Sequence, residues 1–212
     1  DLPMTIVLGS ILVLTILVWL VPAIPVSLLG AFIVVIFGFF FATVSSRMVG
    51  LVGSSNNPVS GMAIATLLIA TLILKFTGDA GVPGMRSAIA IGSIICIVAA
   101  ISGDTSQDLK TGFLLGATPK KQQYGEIIGV VASAFAIGGT LYLLDSAWHF
   151  GSMELPAPQA TLMKMIIEGV MEGNLPWGLV LTGVFIAITV ELLGIPVLPF
   201  AIGVYLPVHL NA

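Results

Sequence analysis

From Leu2 to Ser46 the sequence contains no charged residue, and that uninterrupted run constrains the fold more than any other feature. A helix needs roughly 20 apolar residues to cross about 30 Å of hydrocarbon, so the run is long enough for two spans. Pro22-Ala23-Ile24-Pro25 lies near its middle. Two prolines there remove backbone donors and end a helix, which predicts spans over 4–21 and 26–44 joined by a very short turn.

The remaining charges divide the chain in the same way. Met48 to Leu74 is neutral, but Gly50 to Gly61 is small, polar and helix-breaking, so only 59–75 reads as a span. Ser87 to Gly103, Ile127 to Leu144 and Gly173 to Val190 give three more, the last running on through Glu191. Beyond it, Gly194 to Pro207 is apolar but interrupted by Pro196, Pro199 and Pro207, which predicts a broken or half-crossing segment. Residues 160–172 carry Thr161, Lys164, Glu168 and Glu172 as one polar stripe at helical spacing among apolar neighbours, the pattern of a helix lying at the membrane interface. Apolar character throughout each run favours helices over a barrel, whose strands would alternate. The fold class is therefore all-α: a polytopic helical membrane protein of five to six transmembrane helices, with broken helices and one interfacial helix.

Composition excludes the competing classes. Hydrophobic residues make up 58% of the chain and charged ones 8%, far below the roughly one quarter that a soluble domain needs for its surface. Disorder requires the opposite balance. Seven basic residues and a net charge of -3 supply no basic footprint for nucleic acid. The single cysteine, Cys96, forms no intramolecular disulfide or cysteine cluster, and His149 and His209 offer little toward a metal site. The start at Asp1, without a basic leader, and the end at Ala212, without a charged tail, read as a piece of a longer polypeptide, with 1–212 a single transmembrane region. Arg47, Lys110, Lys120 and Lys121 against Lys75, Arg86 and Lys164 give a small positive-inside bias, which puts the polar connection 102–126 in the cytosol.

Three places carry residues capable of chemistry. Asn56-Asn57-Pro58-Val59-Ser60-Gly61 sets two amides and a hydroxyl beside an apolar span. It reads either as a capped loop or as a discontinuous helix of the kind that lines transporter sites. Asp104, Gln107, Asp108 and Lys110 follow the span 87–103. Asp104 as N-cap with Gln107 at the third helical position would be a capping box, and two carboxylates with a lysine at the membrane boundary could equally form a gate or proton relay. Glu191 lies fourteen residues beyond the interface marker Trp177, roughly 21 Å deeper at 1.5 Å per residue, and a carboxylate there should face a cavity, a cation or a proton. The pairs Gly112/Gly116 and Gly125/Gly129 permit close helix packing. Ile101-Ser102-Gly103-Asp104 lacks the Gly-x-Gly-Asp of an intramembrane aspartyl protease, and neither histidine lies in a full span where a serine could meet it, so the chain is not read as an enzyme.

Gly53 to Met62, Ser102 to Gly112 running on to Leu115-Gly116-Ala117-Thr118-Pro119, and Leu198 to Pro207 together resemble the oligopeptide transporter superfamily, which includes the yellow-stripe-like carriers of metal chelates. All three stretches occur in the family's order, and the likeness covers essentially the whole chain, as the C-terminal part of a prokaryotic member. The resemblance implies secondary active, proton-coupled uptake of small peptides or peptide-like metal chelates across the inner cell membrane. It also implies a homo-oligomer in membrane lipid, completed by the remaining part of the same transporter, with no cofactor and no resident metal. Carried over residue by residue, it places Asn56, Asn57, Pro58 and Gly61 at a helix break and Asp104, Gln107, Asp108 and Lys110 in a polar loop. The alternative is a non-transporting scaffold or channel-like segment of a membrane complex.

Overall fold

The computed structural model describes residues 2–22, 24–78, 81–197, 200–201 and 204, with the side chains of Asn56 and Pro158 left aside. Seven α-helices follow one another among these residues: α1 (Met4–Leu20), α2 (Leu28–Val52), α3 (Val59–Phe76), α4 (Val82–Leu115), α5 (Pro119–Trp148), α6 (Pro158–Glu172) and α7 (Trp177–Leu192). No strand occurs among them. A single 3-10 turn, Ser54–Asn56, lies between α2 and α3.

The helix ends follow local chemistry. Pro22 and Pro25 both lie outside the helices, and α2 starts where Ser27 accepts a hydrogen bond from the Gly30 backbone N–H at 3.2 Å. It stops at Gly53, whose φ of 80° continues no helix. Pro58 then precedes α3, so the break expected at Asn57-Pro58 is present. The chain likewise leaves α7 at Leu193 and turns through Gly194 before Pro196; the break expected at Pro199, and most of the stretch Leu198 to Pro207, lie outside the described residues.

The connection expected over 102–126 is not a loop. α4 runs on to Leu115, and only Gly116, Ala117 and Thr118 separate it from α5, which begins at Pro119 rather than near 127. Charge marks where apolar character ends, not where a helix ends, and no proline or glycine pair interrupts 104–115. Asp104 is therefore interior to α4 and caps nothing, which removes the capping-box reading.

α2, α3 and α4 form the packed centre. Ala31, Ile33, Leu67, Leu74, Ile91 and Ile167 are buried in one cluster, and Phe41, Met62, Ile95 and Ala99 in a second. Gly92 makes the α3–α4 contact possible, because a Cβ there would lie 2.5 Å from Leu67 Cδ2. α6 lays Ile167 and Val170 against α3 and α4, pairs the exposed Lys164 with the half-buried Glu168 at 3.7 Å, and then turns by 118° into α7. α2 to α5 are each long and apolar enough to cross a membrane, and the bent α6–α7 pair supplies a further broken span or re-entrant loop. α1, apolar over 17 residues, brings the set to the expected size.

Candidate functional site

The first of two polar regions is the seam where the 53–58 break rests on α4. Asn57 Nδ2 donates to Ser45 Oγ at 2.6 Å, and Ser45, fully buried on α2, donates in turn to the Ala99 carbonyl of α4. Because the Ser45 proton is engaged there, its oxygen can only accept from Asn57, which fixes the amide orientation. Asn57 Oδ1 is then enclosed without a hydrogen-bond partner. Gly103 permits this approach, since a Cβ on it would lie 2.8 Å from Asn57 Nδ2, 2.8 Å from Val49 Cγ2 and 3.0 Å from Ser45 Oγ. Two more bonds extend the seam: Ser54 N–H donates to Gln107 Oε1 at 3.2 Å, and Ser106 Oγ donates to the Ser46 carbonyl at 3.2 Å.

The second region is a groove of about 780 Å³ between α4 and α5. Asp104, Thr105 and Asp108 line it from α4 and Glu126 from α5, with Ile97, Ile101, Val130, Ile137 and Leu141 along the rest of its length. Thr105 Oγ1 donates to Glu126 Oε2 at 2.9 Å, while Glu126 Oε1 is enclosed and unpartnered. One turn earlier on α5, Gln122 Nε2 donates to the Asp108 carbonyl at 3.0 Å, in space that Gly112 leaves by having no side chain. Packing is thus the role of Gly112, whereas Gly116 ends α4 in the left-handed region at φ 75°.

The expected site residues are brought together unevenly. Asn57 and Gln107 meet across the seam, and Asp104 and Asp108 share the groove. Ser60 is exposed at the start of α3, and the exposed Lys110 places its Nζ 5.2 Å from the centre of the Phe113 ring. The backbone of Asn56 lies in the 3-10 turn. Glu191 is exposed near the end of α7, a helix whose one buried residue is Val190, and it lines neither region. Ser45, Gly103 and Glu126 went unread in the sequence. Glu126 is identified only through the neighbouring helix, where Thr105 donates to it across the α4–α5 pair. Among the described residues no cluster of three or more His, Cys, Asp or Glu is arranged to hold a metal ion.

The chain is 37% identical over 211 residues to a protein of Haemophilus influenzae described as "Putative oligopeptide transporter", a match that covers 85% of this chain and 33% of that protein. It therefore spans about a third of the length of the curated relative it matches. No solved structure matches. The family described as OPT oligopeptide transporter protein matches over residues 1–212, and the chain belongs to that family.

Proposed function

We propose that this chain is part of a secondary active transporter of the inner cell membrane that takes up oligopeptides or peptide-like metal chelates together with protons, as a homo-oligomer. The observation that carries this reading is the α4–α5 groove, where Asp104, Asp108 and Glu126 stand at one end of an apolar cleft. Proton coupling needs carboxylates whose partners can change, and ionisable residues on membrane-spanning helices mark proton relays because burying them in lipid is costly. Glu126, with one oxygen held by Thr105 and the other unpartnered, is the member best placed to take and give up a proton. Glu191 is proposed as a second proton- or cation-binding carboxylate, on a face that this chain leaves exposed.

Substrate contact is assigned to the helix break. Asn56 and Asn57 lie where the break interrupts the α2–α3 pair, with Ser60 in the first turn of α3 beside them, and non-helical backbone is tolerated at membrane depth where it lines a cavity. Asn57 Oδ1 is an acceptor that a peptide N–H could satisfy after a small movement of the seam, Gln107 borders the same region on α4, and Lys110 follows it three residues on along that helix. Uptake by the full-length protein in competition with a panel of peptides and metal chelates tests the assignment. Saturable competition by one class, weakened by Asn57→Ala, is the expected result; no uptake of any member would leave the scaffold reading standing instead.

A further inference from the structure

α5 extends over 30 residues without one buried residue, although it is apolar enough to cross a membrane. Its main contact is α4, along the groove already described. From Glu126 to Leu141 the α5 wall covers sixteen residues, a rise of about 23 Å at 1.5 Å per residue, which matches four turns of another helix. Gly129, Ser133, Ala134 and Gly138 make this wall shallow, and small residues let a helix backbone approach closely within a membrane.

The two ends of the groove make different demands. Its length is lined by aliphatic side chains, yet at one end it presents Asp104, Asp108 and Glu126. Among the described residues the ion pair present is Lys164–Glu168, on α6, and none joins a cation to these three carboxylates. Lys110, two residues beyond Asp108 in sequence, does not line the groove and is placed over the Phe113 ring. An acyl chain would fill the apolar part but strip water from the acidic end. Water would solvate the acidic end but leave the aliphatic walls wet. An apolar helix carrying a basic residue near one terminus meets both demands, because a desolvated carboxylate is stabilised by an opposite charge.

We infer that the α4–α5 groove seats a transmembrane helix from the portion of the transporter outside these 212 residues, and that this helix brings a Lys or Arg side chain to Asp104, Asp108 and Glu126. The length of the Haemophilus influenzae relative, of which the matched region is 33%, provides ample polypeptide for such a helix. This names a partner for the groove and rests on its belonging to the transport machinery, but its test reads proximity rather than uptake, so the two can fail separately.

The test is photocrosslinking in the full-length protein, in native membranes, from a benzophenone amino acid at Ser133 on the groove floor and, separately, at Phe135 on the other side of α5. The Ser133 probe is expected to give an internal cross-link, at the mass of a single polypeptide, to an apolar segment outside 1–212 that bears Lys or Arg within two turns of the end nearest Glu126. The Phe135 probe is expected to give lipid adducts. In the Ser133-probe protein, the double charge reversal Asp108→Lys with Glu126→Lys should lower the yield about tenfold, as loss of a favourable charge pair would, and Lys or Arg→Glu in the cross-linked segment should restore it. Cross-links from Ser133 to lipid alone, to a second copy, or within 1–212, a segment with no basic residue, or a yield indifferent to both charge changes would each overturn the inference.

Discussion

Asn57 on the helix break donates its amide to Ser45 on α2 at 2.6 Å, and the pair lies against Gly103 of α4, where no Cβ would fit without displacing both. Two helices, α2 and α4, and the break after α2 are thus joined through one amide and one hydroxyl at the level where α4 passes from apolar to polar sequence. Gly103→Ala should destabilise the protein by roughly 1–3 kcal/mol through overpacking, and Asn57→Ala by about 1 kcal/mol through the lost hydrogen bond. Thermal unfolding in detergent checks both. A Gly103→Ala variant as stable as the parent would mean that the seam is looser than described.

Glu126→Gln keeps the Thr105 contact and the shape of the groove while removing a titratable group. Uptake by this variant should lose its dependence on an imposed pH gradient yet retain substrate exchange. Glu191→Gln should weaken pH-driven uptake in the same assay. For either residue, an unchanged pH dependence would remove it from the coupling mechanism.

Lys75 near the end of α3 donates to the Val170 carbonyl in the last turn of α6 at 2.6 Å, where a cation also meets the negative end of the helix dipole. Lys75→Met keeps the apolar stem and removes the charge. Hydrogen exchange over 160–172 should speed up by about tenfold, the equivalent of roughly 1.4 kcal/mol, while exchange in α2 stays unchanged. Equal exchange in both forms would show that Ile167 and Val170 hold α6 without the lysine.

The α4–α5 connection should face the cytosol, given Lys110, Lys120 and Lys121 around it. Lys120→Cys lies in the first turn of α5, beside that connection. An impermeant thiol reagent added to intact cells should fail to label it and should label it in inverted vesicles. Efficient labelling from outside would reverse the orientation.

Much of the fold was legible because prolines act locally: Pro22 and Pro25, and Pro58, separate helices where they stand, although α2 runs past its expected end at 44, through Arg47 and Gly50, to Val52. The extent of α4 was not legible, because counting neutral residues measures the bilayer and says nothing of a helix that continues past it through Asp104 and Asp108. Of the candidate sites, Asn57 announced itself by lying beside a break. Ser45 and Gly103 did not, since a small residue in a helix gains meaning only from what approaches it. Glu126 depends on the pairing of α4 with α5, a relationship that spacing within either helix does not contain.

The proposed proton-driven uptake is read most directly by peptide accumulation by the full-length protein in proteoliposomes with and without an inward proton gradient, run beside the Glu126→Gln variant. Accumulation above the external concentration only when the gradient is present, abolished by an ionophore and absent in Glu126→Gln, is the predicted result. Equilibration to the external concentration regardless of the gradient, or full accumulation by Glu126→Gln, would contradict it.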